Sequence, residues 1–271
     1  MIEIRLIPEK EFSRVRAADI DKYEKLHLLA DMCRANAIAT VKRAGSGHLG
    51  SSFSSLDIVT ALYFAEMNID KMGIAHPDRD IYFSSKGHDV PGHYAVLYAL
   101  GIISKEQFIN LRRHGGTHGH PDVSISGIEA NSGSLGMGIS KAKGMAWAKS
   151  YNKAGGRVIV MTGDGELQEG QIWESLQTTT HQKINNLIVI VDFNKFQSDK
   201  ALKHIIDLGD LKAKFEFFGW HVERCDGHDF AALEQVFTKL KGIADKPKVL
   251  IADTVKGKGI SFMEGPSELP D

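Results

Sequence analysis

The sequence predicts an α/β fold with a mostly parallel central sheet and helices on both of its faces. Short apolar runs rich in β-branched residues lie at 157–162, 187–193 and 248–255, and their unbroken hydrophobicity is typical of strands buried on both faces. Stretches with helical periodicity separate these runs, and alternating strands and helices build a parallel sheet. The 271 residues contain no repeat and no flexible linker, so one domain over residues 1–271 is expected.

Spacing and capping residues predict the helices. Residues 22–42 carry leucines and alanines at helical spacing, and residues 55–67 begin at a serine that can cap a helix. Ser104 and Gln107 form a capping-box pattern, which predicts a helix start. A further helix behind Asp229 has apolar residues at 230, 233, 236, 237 and 240. Weaker strand signals lie at 81–83 and 220–223.

Composition and charge argue against several classes of protein. The chain has 33 basic and 34 acidic residues, a balance that gives no reason to expect a nucleic acid or an anionic membrane as partner. No apolar run approaches the roughly 18 residues of a membrane span, and the start lacks the apolar core of a signal peptide. Cys33 and Cys225 are expected to be buried thiols. A cytoplasmic enzyme is therefore predicted.

Irregular stretches rich in Gly, His and Ser are predicted at 44–54, 86–93, 113–134 and 257–271. Loops beyond strand ends are where α/β proteins place their chemistry. A zinc site at His114, His118 and His120 is the weaker interpretation, because no cysteine or fourth histidine has the spacing of a zinc finger. A dinucleotide site in the glycine-rich residues 133–138 is also disfavoured, because Gly-x-Gly-x-x-Gly spacing is missing.

A phosphate and metal site is predicted where two neighbouring strands end. Asp164 lies between Gly163 and Gly165 after the strand at 157–162, and the helix that follows offers unpaired N–H groups to a phosphate. Asn194 ends the next strand, 30 residues later. Both loops open at the same sheet edge, so the Asp164 carboxylate and the Asn194 amide can hold Mg²⁺ together with the main-chain carbonyl of Phe196. An isolated Gly-Asp-Gly, in contrast, is usually a surface turn.

These segments resemble the transketolase family. Gly163-Asp164-Gly165 followed by Asn194 is similar to its thiamine diphosphate motif, and residues 44–50, 80–88, 119–121 and 131–138 resemble four further blocks of that family in the same order. The resemblance extends over residues 20–263. It implies the diphosphate-binding domain of the thiamine-diphosphate-binding fold, with thiamine diphosphate and Mg²⁺, or Ca²⁺ or Mn²⁺ in its place, as cofactors.

The resemblance also implies a role for individual residues. The residues expected to act in catalysis are His48, His88 and His120, which would line the substrate channel, and Glu169, which would link the active sites of paired subunits. The residues expected to bind the cofactor are His88, Gly133, Ser134, Leu135, Asp164, Gly165, Glu166 and Asn194. Two departures from the family are a serine at 134, where relatives usually have proline, and the lack of a histidine after Lys256.

The activity implied is transfer of a two-carbon ketol unit from a ketose or ketose phosphate to an aldose or aldose phosphate. In the family, the glutamate that activates the cofactor lies on a second, pyrimidine-binding domain, which residues 1–271 do not contain. The expectation is an N-terminal subunit of a split transketolase, active only with a C-terminal partner subunit in an α2β2 heterotetramer. The alternatives are a subunit resembling deoxyxylulose-phosphate synthase or dihydroxyacetone synthase, and a non-catalytic regulatory homologue.

Overall fold

A five-stranded, fully parallel sheet forms the centre of the protein. The computed structural model describes residues 5–198 and 200–264. The sheet has the order β1-β2-β3-β7-β6, built from β1 (Ile81–Ser84), β2 (Val158–Gly163), β3 (Leu187–Phe193), β6 (His221–Asp226) and β7 (Lys248–Asp253). A separate two-stranded hairpin consists of β4 (Phe196–Gln197) and β5 (Lys200–Ala201). The predicted fold class is confirmed.

Helices cover both faces of this sheet. They are α1 (Glu9–Ala17), α2 (Lys22–Ala44), α3 (Leu49–Ala61), α4 (Ile69–Met72), α5 (Val90–Ala99), α6 (Lys105–Ile109), α7 (Gly138–Tyr151), α8 (Gly170–His181), α9 (Leu211–Phe217) and α10 (Phe230–Gly242). One core cluster packs α1, α2, α3, α5, α6 and α10 on one face, and a second packs α7, α8 and α9 on the other. In β2, Ile159 and Met161 join the first cluster, and Val158 and Val160 join the second. This alternation explains why the strands are apolar throughout.

The predicted caps are present. The Asp229 carboxylate accepts the N–H groups of Ala231 and Ala232 at the start of α10, and Ser104 with Gln107 forms a complete capping box at α6. Such caps satisfy N–H groups that a helix start leaves unpaired. The short 3₁₀ turns Gly165–Gln168 and Leu202–His204 and the π-helical turn Leu62–Glu66 complete the regular structure.

Two predicted loops are wrong in part. The helix predicted at 55–67 begins at Leu49, inside the stretch 44–54, and α5 begins at Val90, inside the stretch 86–93. All residues of α5 and those of α3 from Ser51 onward are buried, so neither helix has the apolar stripe by which a surface helix is recognised. The sequence patterns also do not predict the helices α1, α4, α7 and α9. The part of the predicted loop 257–271 from residue 265 onward lies outside the described residues. Within the described ranges, no helix has the length and apolarity needed to cross a bilayer.

Candidate active site

The carboxyl ends of the strands surround a cavity of about 1090 Å³. Ten of the residues predicted from the sequence line it: His48, His88, His120, Gly133, Leu135, Asp164, Gly165, Glu166, Asn194 and Phe196. Two others, Ser134 and Glu169, do not belong to this lining. Both are exposed, and Glu169 packs beside Gly136. The fold therefore brings together residues that are widely separated in sequence.

Asp164 joins the ends of β2 and β3. Its Oδ1 accepts the N–H of Gly165 at 2.8 Å, and its Oδ2 accepts the N–H of Lys195 at 2.5 Å. The side chain is buried, and the pKa of Asp164 is raised to about 7 by burial and by the nearby carboxylate of Asp192. A divalent cation at this carboxylate would offset that unfavourable burial of negative charge.

Asn194 and Phe196 lie in the loop after β3, which the Lys195 N–H connects to Asp164. The Oδ1 atom of Asn194 accepts the N–H of Phe196 at 3.0 Å, which leaves one lone pair on this oxygen. The N–H of Leu202 donates to the Lys195 carbonyl at 2.8 Å, so the following pair, Phe196 with Ala201, is a non-hydrogen-bonded pair of the hairpin. The Phe196 carbonyl therefore points away from β5.

These three groups suit a hard cation. A carboxylate, an amide oxygen and a main-chain carbonyl match the oxygen ligands that Mg²⁺ takes beside a diphosphate. Among residues 5–198 and 200–264, no three His, Cys, Asp or Glu side chains cluster as a metal site, so a cation here would also depend on neutral protein oxygens and on ligand oxygens. On this chemistry, the residues present fit a magnesium diphosphate.

Glu166 connects the loops around the cavity. Its Oε1 accepts the Ser85 hydroxyl and the N–H of Gly136 (2.8 Å), and its Oε2 accepts the N–H of Gly163 (3.1 Å). Both carboxylate oxygens are thus bonded to protein donors, and burial raises the pKa of this group. Glu166 therefore contributes to the cavity chiefly by fixing the loops that line it.

The histidine rings at the cavity differ in their surroundings. The rings of His48 and His88 lie edge to face, with centroids 5.4 Å apart. The Nδ1 of His88 donates to the Lys86 carbonyl (2.9 Å), so its Nε2 can act as an acceptor. Burial and the nearby Lys86 ammonium lower the pKa of His88 to about 4, which keeps the ring neutral at pH 7. The pKa of His48 is lowered by its burial and by the cations around it.

Position 133 cannot accept a residue larger than glycine. Its φ is 121°, and a Cβ atom at this position would lie 2.8 Å from Cδ2 of His120. Close packing of a glycine therefore holds the third predicted histidine in place.

A buried ion pair beneath the cavity was missed by sequence reasoning. The Lys86 ammonium lies 2.5 Å from Oδ2 of Asp192, and both side chains are almost fully buried. Asp192 also accepts the hydroxyls of Ser54 (2.6 Å) and Thr254 and lies 3.4 Å from the Asn194 amide nitrogen. The available signal was a single charged residue in the otherwise apolar run 187–193, because a buried charge requires a partner.

A second missed network fixes the segment after β7. His228 Nδ1 lies 2.7 Å from Oδ2 of Asp57, and its Nε2 accepts the N–H of Val255 at 2.8 Å. Arg34 donates to the other Asp57 oxygen at 2.9 Å. The anchored segment contributes Lys256, Phe262 and Met263 to the cavity lining. It occupies the region in which the sequence lacks the family's additional histidine.

The chain is similar to several known proteins. Residues 26–268 match the family model described as transketolase, thiamine diphosphate binding domain. The chain is 39% identical over 250 residues to transketolase-like protein 2 of Bos taurus, covering 91% of this chain and 40% of that protein. It is 36% identical over 243 residues to one of the subunits of the apulose-4-phosphate transketolase of Phocaeicola vulgatus, covering 89% of this chain and 86% of that subunit.

A solved structure shows the same fold. Transketolase from Campylobacter jejuni superimposes with a TM-score of 0.83 at 28% identity, covering 89% of this chain and 39% of that chain. The chain thus spans about two fifths of the bovine and Campylobacter proteins, but most of the Phocaeicola subunit.

Proposed function

The chain belongs to the transketolase family, and from this premise we propose that it is the thiamine-diphosphate- and magnesium-binding N-terminal subunit of a split transketolase. The reaction proposed is transfer of a two-carbon ketol unit from a ketose or ketose phosphate to an aldose or aldose phosphate. The observation that supports the proposal is that Asp164, Asn194 and Phe196 line one cavity at the carboxyl edge of β2 and β3.

In this proposal, the cofactor is held by its diphosphate and its cation. Asp164, Asn194 and the Phe196 carbonyl would bind Mg²⁺, and Gly165 and the loop of Gly133 would approach the cofactor through their main chains. When bound, thiamine diphosphate supplies a carbon nucleophile and an electron sink for the ketol unit. The protein contributes orientation and electrostatics around that chemistry.

Histidines would bind and orient the donor sugar. His88 is neutral at pH 7 and has Nε2 available as an acceptor for a sugar hydroxyl. His48 faces it edge-on, and His120 lines the same cavity, so the two can hydrogen-bond neighbouring hydroxyls and move protons. Glu169, which is exposed, is proposed to link paired active sites rather than to contact substrate.

A partner subunit is part of the proposal. The subunit from Phocaeicola vulgatus is matched over 86% of its length, which supports a chain of this size working as one subunit of two. The proposed partner carries the pyrimidine-binding domain, in an α2β2 heterotetramer. Trp147 and Tyr151 stack at 5.2 Å on α7 with exposures of 51% and 73%, and Leu135 and Met137 are exposed nearby in sequence. An apolar surface of this kind suits coverage by another chain.

The compartment proposed is the cytoplasm. Neither cysteine of the chain forms a disulfide, and both Cys33 and Cys225 are at least partly buried. Unpaired thiols suit a reducing compartment.

The test is reconstitution of ketol transfer. The purified chain should have negligible activity with thiamine diphosphate and Mg²⁺, and activity should appear when a candidate C-terminal subunit is added. Full turnover by the chain alone would refute the need for a partner. Turnover with pyruvate as donor would favour an enzyme resembling deoxyxylulose-phosphate synthase. Cofactor binding without turnover in the complex would favour the regulatory homologue.

A further inference from the structure

A second, smaller pocket opens beside the main cavity. Its volume is about 500 Å³, and it is lined by Arg112, Arg113, Thr117, His118, Gly119 and His120. His120 lines both spaces. The two spaces therefore adjoin at this residue.

The arginines of this pocket lack the ion pairs that other arginines make. Arg34, Arg79, Arg157 and Arg224 all bond carboxylates. Within the described residues, the guanidinium groups of the pocket bond only neutral oxygens: Arg112 donates to the Ser46 hydroxyl at 3.1 Å, and Arg113 donates to the Arg43 carbonyl at 2.7 Å. Two positive charges thus face the pocket without a carboxylate to neutralise them.

His118 is the least available of the basic groups. Its Nε2 lies 3.4 Å from the Ser124 hydroxyl, and the Asp122 carboxylate is close enough for the two charges to interact. The charge available for recognition in the pocket is therefore carried chiefly by Arg112 and Arg113.

Arg112 is held in an unusual conformation. Its φ of 59° lies in the left-handed region, which costs a non-glycine residue about 1–2 kcal/mol. Its N–H donates to the Thr117 carbonyl at 2.7 Å. The guanidinium lies against Gly119, where a Cβ atom would come within 2.7 Å of Nε. A strained residue whose side chain is packed into one position at a pocket is a candidate for function.

We propose that Arg112, supported by Arg113 and His120, forms a subsite for a tetrahedral oxyanion, a phosphate or a sulfonate, on the sugar substrate. The inference rests on the proposed function. A guanidinium makes two parallel, charge-assisted hydrogen bonds to such a group. The reacting end of the sugar lies among His48, His88 and His120, and its charged end lies in the second pocket. Recognition of the charged end then belongs in part to this chain and not wholly to its partner.

The experiment is a titration of the purified chain with inorganic phosphate against chloride at constant ionic strength. Binding is monitored through the NMR signals of the His118 and His120 rings. Phosphate should shift these signals saturably. Arg112→Gln should weaken binding at least about tenfold, which corresponds to about 1.4 kcal/mol. Arg112→Lys should give an intermediate loss, because a point charge cannot make the paired bonds. Arg14→Gln, at an exposed arginine of α1, is the matched control and should change nothing.

Two further arms distinguish where the anion binds. Lys256→Gln removes a cation that lines the main cavity only, so it should leave the phosphate-induced shift of the His118 ring, which lines the smaller pocket only, unchanged. D-ribose 5-phosphate should shift the same signals, and uncharged D-ribose should not. Any of three results would overturn the subsite. They are an unchanged phosphate affinity in Arg112→Gln, a loss of phosphate affinity in Lys256→Gln alone, and equal shifts of the ring signals by D-ribose 5-phosphate and D-ribose. Failure of the proposed function would show separately, as no magnesium-dependent binding of thiamine diphosphate to the unaltered chain.

Discussion

The main-chain N–H of Lys195 donates to Oδ2 of Asp164 at 2.5 Å and so fastens the end of β3 to the end of β2. Lys195 adopts a left-handed φ of 69° to make this contact. Asn194, immediately before it, is thereby held beside the Asp164 carboxylate. The side chains predicted as cation ligands are thus positioned by the ends of two neighbouring strands.

His228 is predicted to position the segment after β7 for cofactor binding. His228→Ala leaves the Oδ2 atom of Asp57 and the Val255 N–H without a partner, and the affinity for thiamine diphosphate with Mg²⁺ should fall about tenfold. His228→Gln should restore part of the loss, because its side-chain oxygen can accept the Val255 N–H. Calorimetric titration with cofactor measures both effects.

His221, which pairs with Glu223 at 3.0 Å at the start of β6, is the matched control. His221→Ala removes a histidine–carboxylate pair far from the cavity edge and should leave cofactor affinity unchanged. If His228→Ala lowers the unfolding temperature but binds cofactor normally, the positioning role is wrong.

Breaking the Lys86–Asp192 pair is predicted to be costly. Lys86→Met leaves a buried carboxylate uncompensated, and the free energy of unfolding should fall by about 3–5 kcal/mol. The double variant Lys86→Met/Asp192→Asn should lose less than the sum of the single changes. Urea denaturation of the three variants measures this coupling.

The exposed pair Lys22–Glu234, at 2.6 Å, provides the comparison. Removing either partner should change stability little, because solvent screens both charges. Additive effects at Lys86 and Asp192 would show that the buried contact contributes no coupling.

His93 is predicted to make stability depend on pH. Burial lowers the pKa of His93 to about 4, from 6.5 in an unfolded chain. The unfolded chain therefore binds the proton more tightly between these values. The neutral His93 ring therefore contributes about 3 kcal/mol to the free energy of unfolding above pH 6.5, and this contribution is lost as the pH falls toward 4.

His93→Gln retains an acceptor for the Tyr63 hydroxyl, which lies 2.8 Å from His93 Nε2, but cannot titrate. Urea denaturation at pH 7.5 and pH 5 should show a smaller decrease for this variant than for the unaltered chain. His181→Gln, at an exposed histidine, should leave the decrease as it was. Equal pH dependence in the unaltered chain and His93→Gln would contradict the assignment.

Local sequence patterns were sufficient for the strands and for the central loops of the site. The strands β2, β3 and β7 are short apolar runs because both faces of the sheet are covered, and this burial is visible in composition alone. Asp164 and Asn194 could be paired because parallel neighbouring strands end at one edge. Burial on all sides is also the reason why α3 and α5 could not be predicted correctly, since a helix without an exposed face has no amphipathic period in its sequence.

Long-range polar contacts could not be predicted. Lys86 and Asp192 are 106 residues apart, and Asp57 and His228 are 171 residues apart. No local pattern encodes which distant charge a buried carboxylate meets, because the pairing depends on how the elements pack. The exposed positions of Ser134 and Glu169 likewise could not be predicted from their motifs.

The most direct test of the account is binding of thiamine diphosphate to the chain and to Asp164→Asn, measured by thermal unfolding at pH 8, where the Asp164 carboxylate is mostly ionised. The unaltered chain should be stabilised by the cofactor only when Mg²⁺ is present, by about 2.7 kcal/mol when the cofactor is at a hundred times its Kd. Asp164→Asn should lose this stabilisation, and Asp245→Asn, at an exposed aspartate, should keep it. Full magnesium-dependent stabilisation of Asp164→Asn would contradict the central claim.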